Sequence, residues 1–428
     1  MLKERKILSK LLAEQGKRKH SIIVGPRQVG KTCVLKLLYQ EICKVQGHKG
    51  LFIDADIFSE YEFIATYESA LNTFRLHGYQ EDSPEKFFVF LDEFQRYEDL
   101  SIVLKNLYDH HPNIKVYATG SSSLTIKHRI QESLAGRKLL HYLYPLDFEE
   151  YLSFVEDDKA LKLLLNVSLL QGKDLDDVIK PLLLRLYEFL QFGGYPEVVL
   201  QEREKDKKEV LKSIFDLFVK KDLVEYLQIK KLRELKEMII FLAINNGQKI
   251  KYENIATITG FSLKTAKNYL ELLSEVFLVQ IIRPFYTNKN KELTKIPKVY
   301  FIDPGVSNFF INNFNDPRYR QDGGQLFETF VLGELLKTGL DRDEIKFWQD
   351  KSRHEVDFIV DKISFQVAIE AKFKTKLKPM DLRGLKAFKK NYPESKVFLI
   401  NLGKQKKNDI NFILPFNIVW SMANACSV

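Results

Sequence analysis

Short apolar runs punctuate the first third of the chain: Ser21-Ile-Ile-Val24, Leu51-Phe-Ile53, Phe87-Phe-Val-Phe-Leu91, Lys115-Val-Tyr-Ala118 and Leu139–Leu146. Between them the apolar residues recur every three or four positions, as in Val34, Leu35, Leu37 and Leu38. Such runs suit buried strands, and the stretches between them suit amphipathic helices. Residues 1–146 are therefore predicted to form a parallel sheet with helices on both faces. From 147 to 230 the pattern turns helical: Phe148–Phe154, Leu161–Leu170, Pro181–Phe192 and Lys208–Leu227, with a break at Gly193-Gly194-Tyr195-Pro196. We read this as a small helical lid. Residues 231–299 give a helix at Leu235–Asn245, a second at Tyr252–Thr257, a turn and N-cap at Gly260-Phe261-Ser262, and a third helix at Leu263–Val276. A strand-like Phe277–Ile282 follows, which completes the pattern of a winged helix-turn-helix. Residues 300–428 return to mixed α/β. Gln325–Lys337 and Leu382–Asn391 read as helices, and Glu355–Val360, Phe365–Lys372 and Lys396–Asn401 as strands. The first two of these strands meet at an Asp361-Lys362 hairpin.

The loop after the first apolar run carries the clearest chemistry. Gly25-Pro-Arg-Gln-Val-Gly-Lys-Thr32 has the spacing G-x-x-x-x-G-K-[ST], with a strand before it and a helix after it. Backbone N–H groups of such a loop wrap phosphates, and the helix N-terminus adds its positive dipole end. The cradle is expected to comprise Gly25, Pro26, Arg27, Gln28, Val29, Gly30, Lys31, Thr32 and Cys33. Lys31 would neutralise the outer phosphates of ATP, and Thr32 would hold Mg²⁺. The third run ends in Asp92-Glu93, so Asp92 is expected to bind the metal and Glu93 to polarise the attacking water. Thr119-Gly-Ser-Ser-Ser123 ends the next strand, where Ser121 could sense the γ-phosphate. Arg137 could reach a neighbouring subunit's nucleotide, with Arg129 a weaker choice. Either arginine could equally be a surface ion-pair partner.

Composition adds limits. The chain has 428 residues, 45% of them hydrophobic, enough for two or three domains. The net charge of +9 is uneven: residues 245–300 carry a net +5 and residues 372–390 a net +7. Local basic excess of this kind suits polyanions, and also suits plain solvated faces. Three cysteines without a C-x-x-C pair support neither a disulfide framework nor a thiolate metal site. The charged start of the chain and the absence of a long apolar run lead us to expect a soluble, cytoplasmic protein with no membrane span. Lys264, Thr265, Lys267 and Asn268 begin the third helix of the winged-helix segment, where a recognition helix would touch DNA. Packing or oligomerisation would use the same fold.

A second constellation lies near the C-terminus. Asp357 is on one hairpin strand, Glu370-Ala-Lys372 on the next, and Glu328 on the preceding helix. Residues i and i+2 of a strand share a face, so Glu370 and Lys372 point the same way, and Asp357 can lie opposite. Two such carboxylates could hold Mg²⁺ for phosphodiester chemistry, with Lys372 orienting water. A surface ion-pair ladder would need the same residues. The arrangement resembles the PD-(D/E)-x-K nucleases.

Together, Gly25–Thr32, Phe90–Gln95, Thr119–Ser123, Ser133–Arg137, Gly193–Pro196, Tyr300–Gly305 and Glu355–Phe358 resemble the AAA-type archaeal/bacterial ATPases that carry a C-terminal DUF4143 domain. The resemblance implies an α/β chain with a P-loop NTPase core of the ASCE type at 1–146, a helical lid at 147–230, a winged helix-turn-helix at 231–299 and a restriction-endonuclease-like domain at 300–428. It implies ATP and Mg²⁺ as cofactors. We expect an ATP hydrolase acting on DNA, as a homo-oligomer. A nucleotide switch that binds DNA or a protein partner without cutting, and a signalling or defence ATPase of the STAND type, stay open.

Overall fold

A computed structural model describes residues 2–97, 99–121, 134–167, 176–219, 223, 231–362, 365–406, 409–419 and 421–422. The chain divides into two compact units. The first gathers Met1–Tyr144 with Leu217–Gln228 and Glu275–Phe277, and the second gathers Pro145–Asp216, Ile229–Ser274 and Leu278–Val428.

The first unit is built on five parallel strands: β1 (His20–Gly25), β2 (Gly50–Asp54), β3 (Phe87–Asp92), β4 (Ile114–Ser121) and β5 (Lys138–Tyr142). Their order is β2-β3-β4-β1-β5. Helices α1 (Ile7–Leu12), α2 (Lys31–Tyr39), α3 (Tyr67–Leu76) and α4 (Leu100–His110) accompany them. Strands β1 and β3 are buried at every position, as expected where helices cover both faces of a parallel sheet. Ile22, Val89, Leu91, Val116 and Ala118 meet Phe74, Leu104 and Leu107 in one core. The strand order matters for function. β4 lies between β1, which feeds the glycine loop, and β3, which ends in Asp92. Thr119 on β4 pairs with Ile23, and Ala118 pairs with Leu91.

In the second unit, α5 (Phe148–Phe154), α6 (Asp158–Asn166) and α7 (Asp176–Phe192) come first. α7 begins five residues before the expected start at Pro181, which sits inside the helix. Ile179 and Leu182 are both fully buried on its inner face, and that burial opposes the carbonyl clash a helix-interior proline brings. Of the helix expected at Lys208–Leu227, the structure shows Glu204–Phe218; most of the rest of that stretch lies outside the described residues. Next come α8 (Leu232–Ile244), α9 (Tyr252–Thr259) and α10 (Leu263–Glu275). Gly260 caps α9 at φ 70°, and Ser262 accepts a bond from the Thr265 N–H at 3.1 Å to start α10. Later helices are α11 (Pro304–Phe310), α12 (Gly323–Lys337) and α13 (Arg383–Asn391).

Seven strands form the sheet of this unit: β6 (Val279–Pro284), β7 (Lys298–Phe301), β8 (Ile345–Gln349), β9 (Glu355–Asp361), β10 (Gln366–Lys372), β11 (Lys396–Asn401) and β12 (Asn411–Ile413), in the order β12-β11-β10-β9-β8-β6-β7. The expected wing does not stand apart. β6 pairs antiparallel with β7 and also parallel with β8, so it joins the C-terminal sheet. The expected boundaries at 230/231 and 299/300 both fall inside the second compact unit. The buried faces of β6 and β7, with Val279, Ile282, Val299 and Phe301 almost wholly inaccessible, account for this. Among the described residues, no helix is long and apolar enough to cross a membrane.

Candidate functional site

The glycine loop joins β1 to α2. Gly30 is the N-cap of α2 at φ 92° and offers no side-chain bond to the first turn. A Cβ there would adopt a strained backbone and project into open space. An uncapped helix start leaves its first N–H groups for an anion. Gln28 is also left-handed, at φ 59°, and its buried Oε1 has no hydrogen-bond partner. Lys31 is buried, and its ammonium donates to the carbonyls of Gly25 (3.0 Å) and Pro26 (2.7 Å) of its own loop. The loop is anchored from below. Arg5 donates to the Val29 carbonyl at 2.7 Å and to that of Tyr144 at 2.9 Å.

Asp92 ends β3 with only 2% of its surface exposed. It accepts bonds from the hydroxyls of Thr119 and Thr32. Burial pushes its carboxyl above the usual range; the two hydroxyls oppose this, and Glu93 and Asp54 add to it. A buried carboxylate of this kind is short of positive charge, as a metal ligand would be. Glu93 follows at φ 51°, an uncommon conformation for a side chain of this size. Its N–H donates to Thr119 Oγ1 at 3.1 Å, and its carboxylate accepts from the Gln95 amide. Thr119 therefore grips both acidic residues. Sequence reasoning had chosen Ser121 from the same strand end. Ser121 pairs in register with Gly25, and its side chain lies outside the described set, as do Ser122, Ser123 and Arg129. Cys33 is a half-buried free thiol in the first turn of α2.

Arg137 is not brought to the loop. Its carbonyl accepts from the N–H of His20, the first residue of β1, whereas the loop leaves the other end of that strand. Its guanidinium makes a two-pronged pair with Asp109, at 2.7 and 3.0 Å.

The C-terminal constellation does converge. Ile369 pairs with Phe358, and one further step along the antiparallel register sets Glu370 opposite Asp357. There the ladder gives way, because the Ala371 N–H donates to Asp357 Oδ2 at 2.9 Å. Lys372 bonds Glu370 and stands 3.9 Å from Asp357. Glu370 Oε2 is buried with no hydrogen-bond partner, although the residue is only 7% exposed. Burial first, and Asp357 second, push the carboxyls of both Glu370 and Glu328 upward. Sequence reasoning missed two neighbours. Tyr300, fully buried, donates to Glu328 at 2.7 Å. Lys298 bridges Glu355 at 2.6 Å and stands 3.9 Å from Asp357. Both lie on β7, and the alternation of Lys298 and Tyr300 on one face was the available signal. Among the described residues, no group of three or more His, Cys, Asp or Glu side chains is arranged to hold a metal ion. On α10, Lys264, Lys267 and Asn268 are exposed, while Ala266, Leu270 and Leu273 are buried.

Residues 17–152 match the AAA domain, residues 184–317 a domain of unknown function (DUF8612), and residues 323–419 another (DUF4143). An uncharacterized protein of Haemophilus influenzae is 26% identical over 380 residues, covering 87% of this chain and 86% of its own length. Among solved structures, the Walker-type ATPase paby2304 of Pyrococcus abyssi is similar at a TM-score of 0.47 and 15% identity, over 72% of this chain and 96% of that one. The ORC2 protein of Aeropyrum pernix, solved as ADPNP-ADP complexes, gives 0.40 and 14%, over 72% and 90%. The uncharacterized protein MJ1544 of Methanocaldococcus jannaschii is 30% identical over 332 residues, covering 76% of this chain and 69% of its own. The chain belongs to the family of MJ1544, with an AAA domain at its N-terminal side and a DUF4143 domain at its C-terminal side.

Proposed function

We propose that this chain is a Mg²⁺-dependent ATP hydrolase whose nucleotide state is read by a nucleic-acid-binding second unit. One observation carries the ATPase reading: Thr32 of the loop, Asp92 of β3 and Thr119 of β4 meet in one hydrogen-bonded cluster at the end of the sheet that the loop crowns. Thr32 and Asp92 are the residues that would hold Mg²⁺, which supplies charge neutralisation to the phosphates. Lys31 exchanges its two loop carbonyls for phosphate oxygens. Glu93, fixed through its backbone by Thr119 and through its side chain by Gln95, polarises the attacking water. Arg137 serves a neighbouring copy only after leaving Asp109. The exposed Lys264, Lys267 and Asn268 of α10, on a helix-turn-helix arrangement, support DNA as the partner. ATP turnover is the test. Glu93→Gln should bind nucleotide as the wild type does and lose turnover at least a hundredfold. Undiminished turnover would refute the assignment.

A second activity is supported by the unpartnered Glu370 Oε2 beside Asp357 and Lys372. In this reading the cluster is a restriction-endonuclease-like centre, with Asp357 and Glu370 as Mg²⁺ ligands, Glu328 beside them and Lys372 orienting water. It predicts Mn²⁺- or Mg²⁺-dependent DNA cleavage that Asp357→Asn abolishes. Intact DNA after incubation of wild-type protein with either metal would reject it.

A further inference from the structure

The end of the five-stranded sheet away from the glycine loop gathers charge from three separate segments. Lys17, Arg18 and Lys19 lead into β1, Lys86 leads into β3, and Arg137 and Lys138 lead into and begin β5. Hydrogen bonds tie these segments into one surface. Lys86 donates to the carbonyls of Gly16 (2.8 Å) and Lys17 (3.1 Å). His20 N–H donates to the Arg137 carbonyl at 3.0 Å, and His20 pairs in register with Lys138. Arg18 donates to the Tyr108 carbonyl at 2.9 Å. Behind them Lys115, fully buried, donates to the carbonyl of Lys19.

Five carboxylates lie within or beside this set. Glu14 pairs with Lys17 at 3.3 Å, Asp109 pairs with Arg137, and Glu81, Asp82 and Glu85 precede Lys86, with Glu81 standing 3.6 Å from His111. Arg18 and Lys19 are exposed and pair with none of the five. The surface also carries a half-buried aromatic. The Arg18 guanidinium stands 4.7 Å from the Tyr108 ring centre and that of Arg137 6.0 Å. Cations interleaved with an aromatic ring are the chemistry that grips a phosphate backbone and stacks on bases. The lines of β3, β1 and β5 set Lys86, Lys19 and Lys138 across a span of about 14 Å, about four base-pair steps of duplex. None of the exposed large apolar side chains among the described residues belongs to these segments, so the surface lacks the wedge that membrane docking uses.

We infer that this basic face of the AAA unit, centred on Arg18, Lys19 and Tyr108, is a second nucleic-acid contact that binds the sugar-phosphate backbone without reading sequence. It goes beyond the reading above, which assigns DNA only to the second unit. The full chain is titrated with a fluorescent DNA duplex at several salt concentrations. Arg18→Ala/Lys19→Ala should lower the slope of log affinity against log salt by about 2, about one per lost phosphate contact. Arg18→Lys/Lys19→Arg should keep the wild-type slope, and ATP turnover without DNA should be unchanged in both variants. A wild-type slope in Arg18→Ala/Lys19→Ala, with loss only in Lys264→Ala/Lys267→Ala, overturns this inference and leaves the function above standing. No duplex binding by wild-type protein overturns both. Binding to phosphatidylserine vesicles that Arg18→Ala/Lys19→Ala abolishes, with DNA affinity untouched, overturns the inference in favour of a membrane.

Discussion

Thr119 shows how one hydroxyl organises the candidate nucleotide site. It donates to Asp92 while accepting from the Glu93 N–H, so the carboxylate that would carry the metal and the one that would carry the water are fixed relative to each other. No local motif announces it. The Asp92-Glu93 pair and the loop were legible because each is contiguous in sequence and follows an apolar run. Thr119 was one hydroxyl among four at its strand end, and only the insertion of β4 between β1 and β3 selects it. Thr119→Val removes both bonds without a change of volume. Turnover should fall about ten- to a hundredfold while nucleotide affinity stays within about threefold, because the loss falls on orientation. Steady-state kinetics beside a nucleotide titration checks this, and equal losses in both would contradict it.

Elements were legible where burial alone decides them. All five apolar runs of the first unit became strands, and Phe148–Phe154 and Lys396–Asn401 have their expected ends. β8, β12 and the short α11 were not foreseen. β12 spans only three residues, too few to show a period. The strand expected at Phe277–Ile282 is present as β6, but its second pairing, with β8, was not legible, because a strand has two edges and its sequence does not say what pairs with the second. The two glycine-containing segments, Gly193–Pro196 and Tyr300–Gly305, proved to be a single device. Asp303, capping α11, accepts from the N–H of Gly194 at 2.7 Å and of Val306 at 3.2 Å. Gly193 sits at φ 77°, and a Cβ there would lie 1.9 Å from Asp303 Oδ1. Gly193→Ala combines backbone strain with a clash against a buried carboxylate. It should cost more than about 2 kcal/mol of stability, read as an earlier chemical unfolding midpoint. An unchanged midpoint would mean that this lock contributes little.

Across the molecule, the proposed function gives each unit its own site for phosphate chemistry. The first has a helix-start cradle, a buried aspartate and a basic far end. The second has paired carboxylates with Lys298 and Lys372 close by, and an exposed polar face on α10. Charge totals alone did not reveal this division, because the cations Lys17–Lys19, Lys86 and Arg137–Lys138 are dispersed in sequence and gathered only by the sheet. Arg137 belongs to the same lesson. Its sequence position suggests a partner's nucleotide, and within one chain it pairs with Asp109 at the far end of β1.

The most direct measurement is a fluorescent ATP-analogue titration of wild-type protein and Lys31→Ala, with Mg²⁺ present. Saturable binding by wild type, weakened at least a hundredfold in Lys31→Ala and also weakened when Mg²⁺ is chelated, is the predicted result. Equal affinity in both proteins would contradict the central claim that the Gly25–Thr32 loop holds a nucleoside triphosphate.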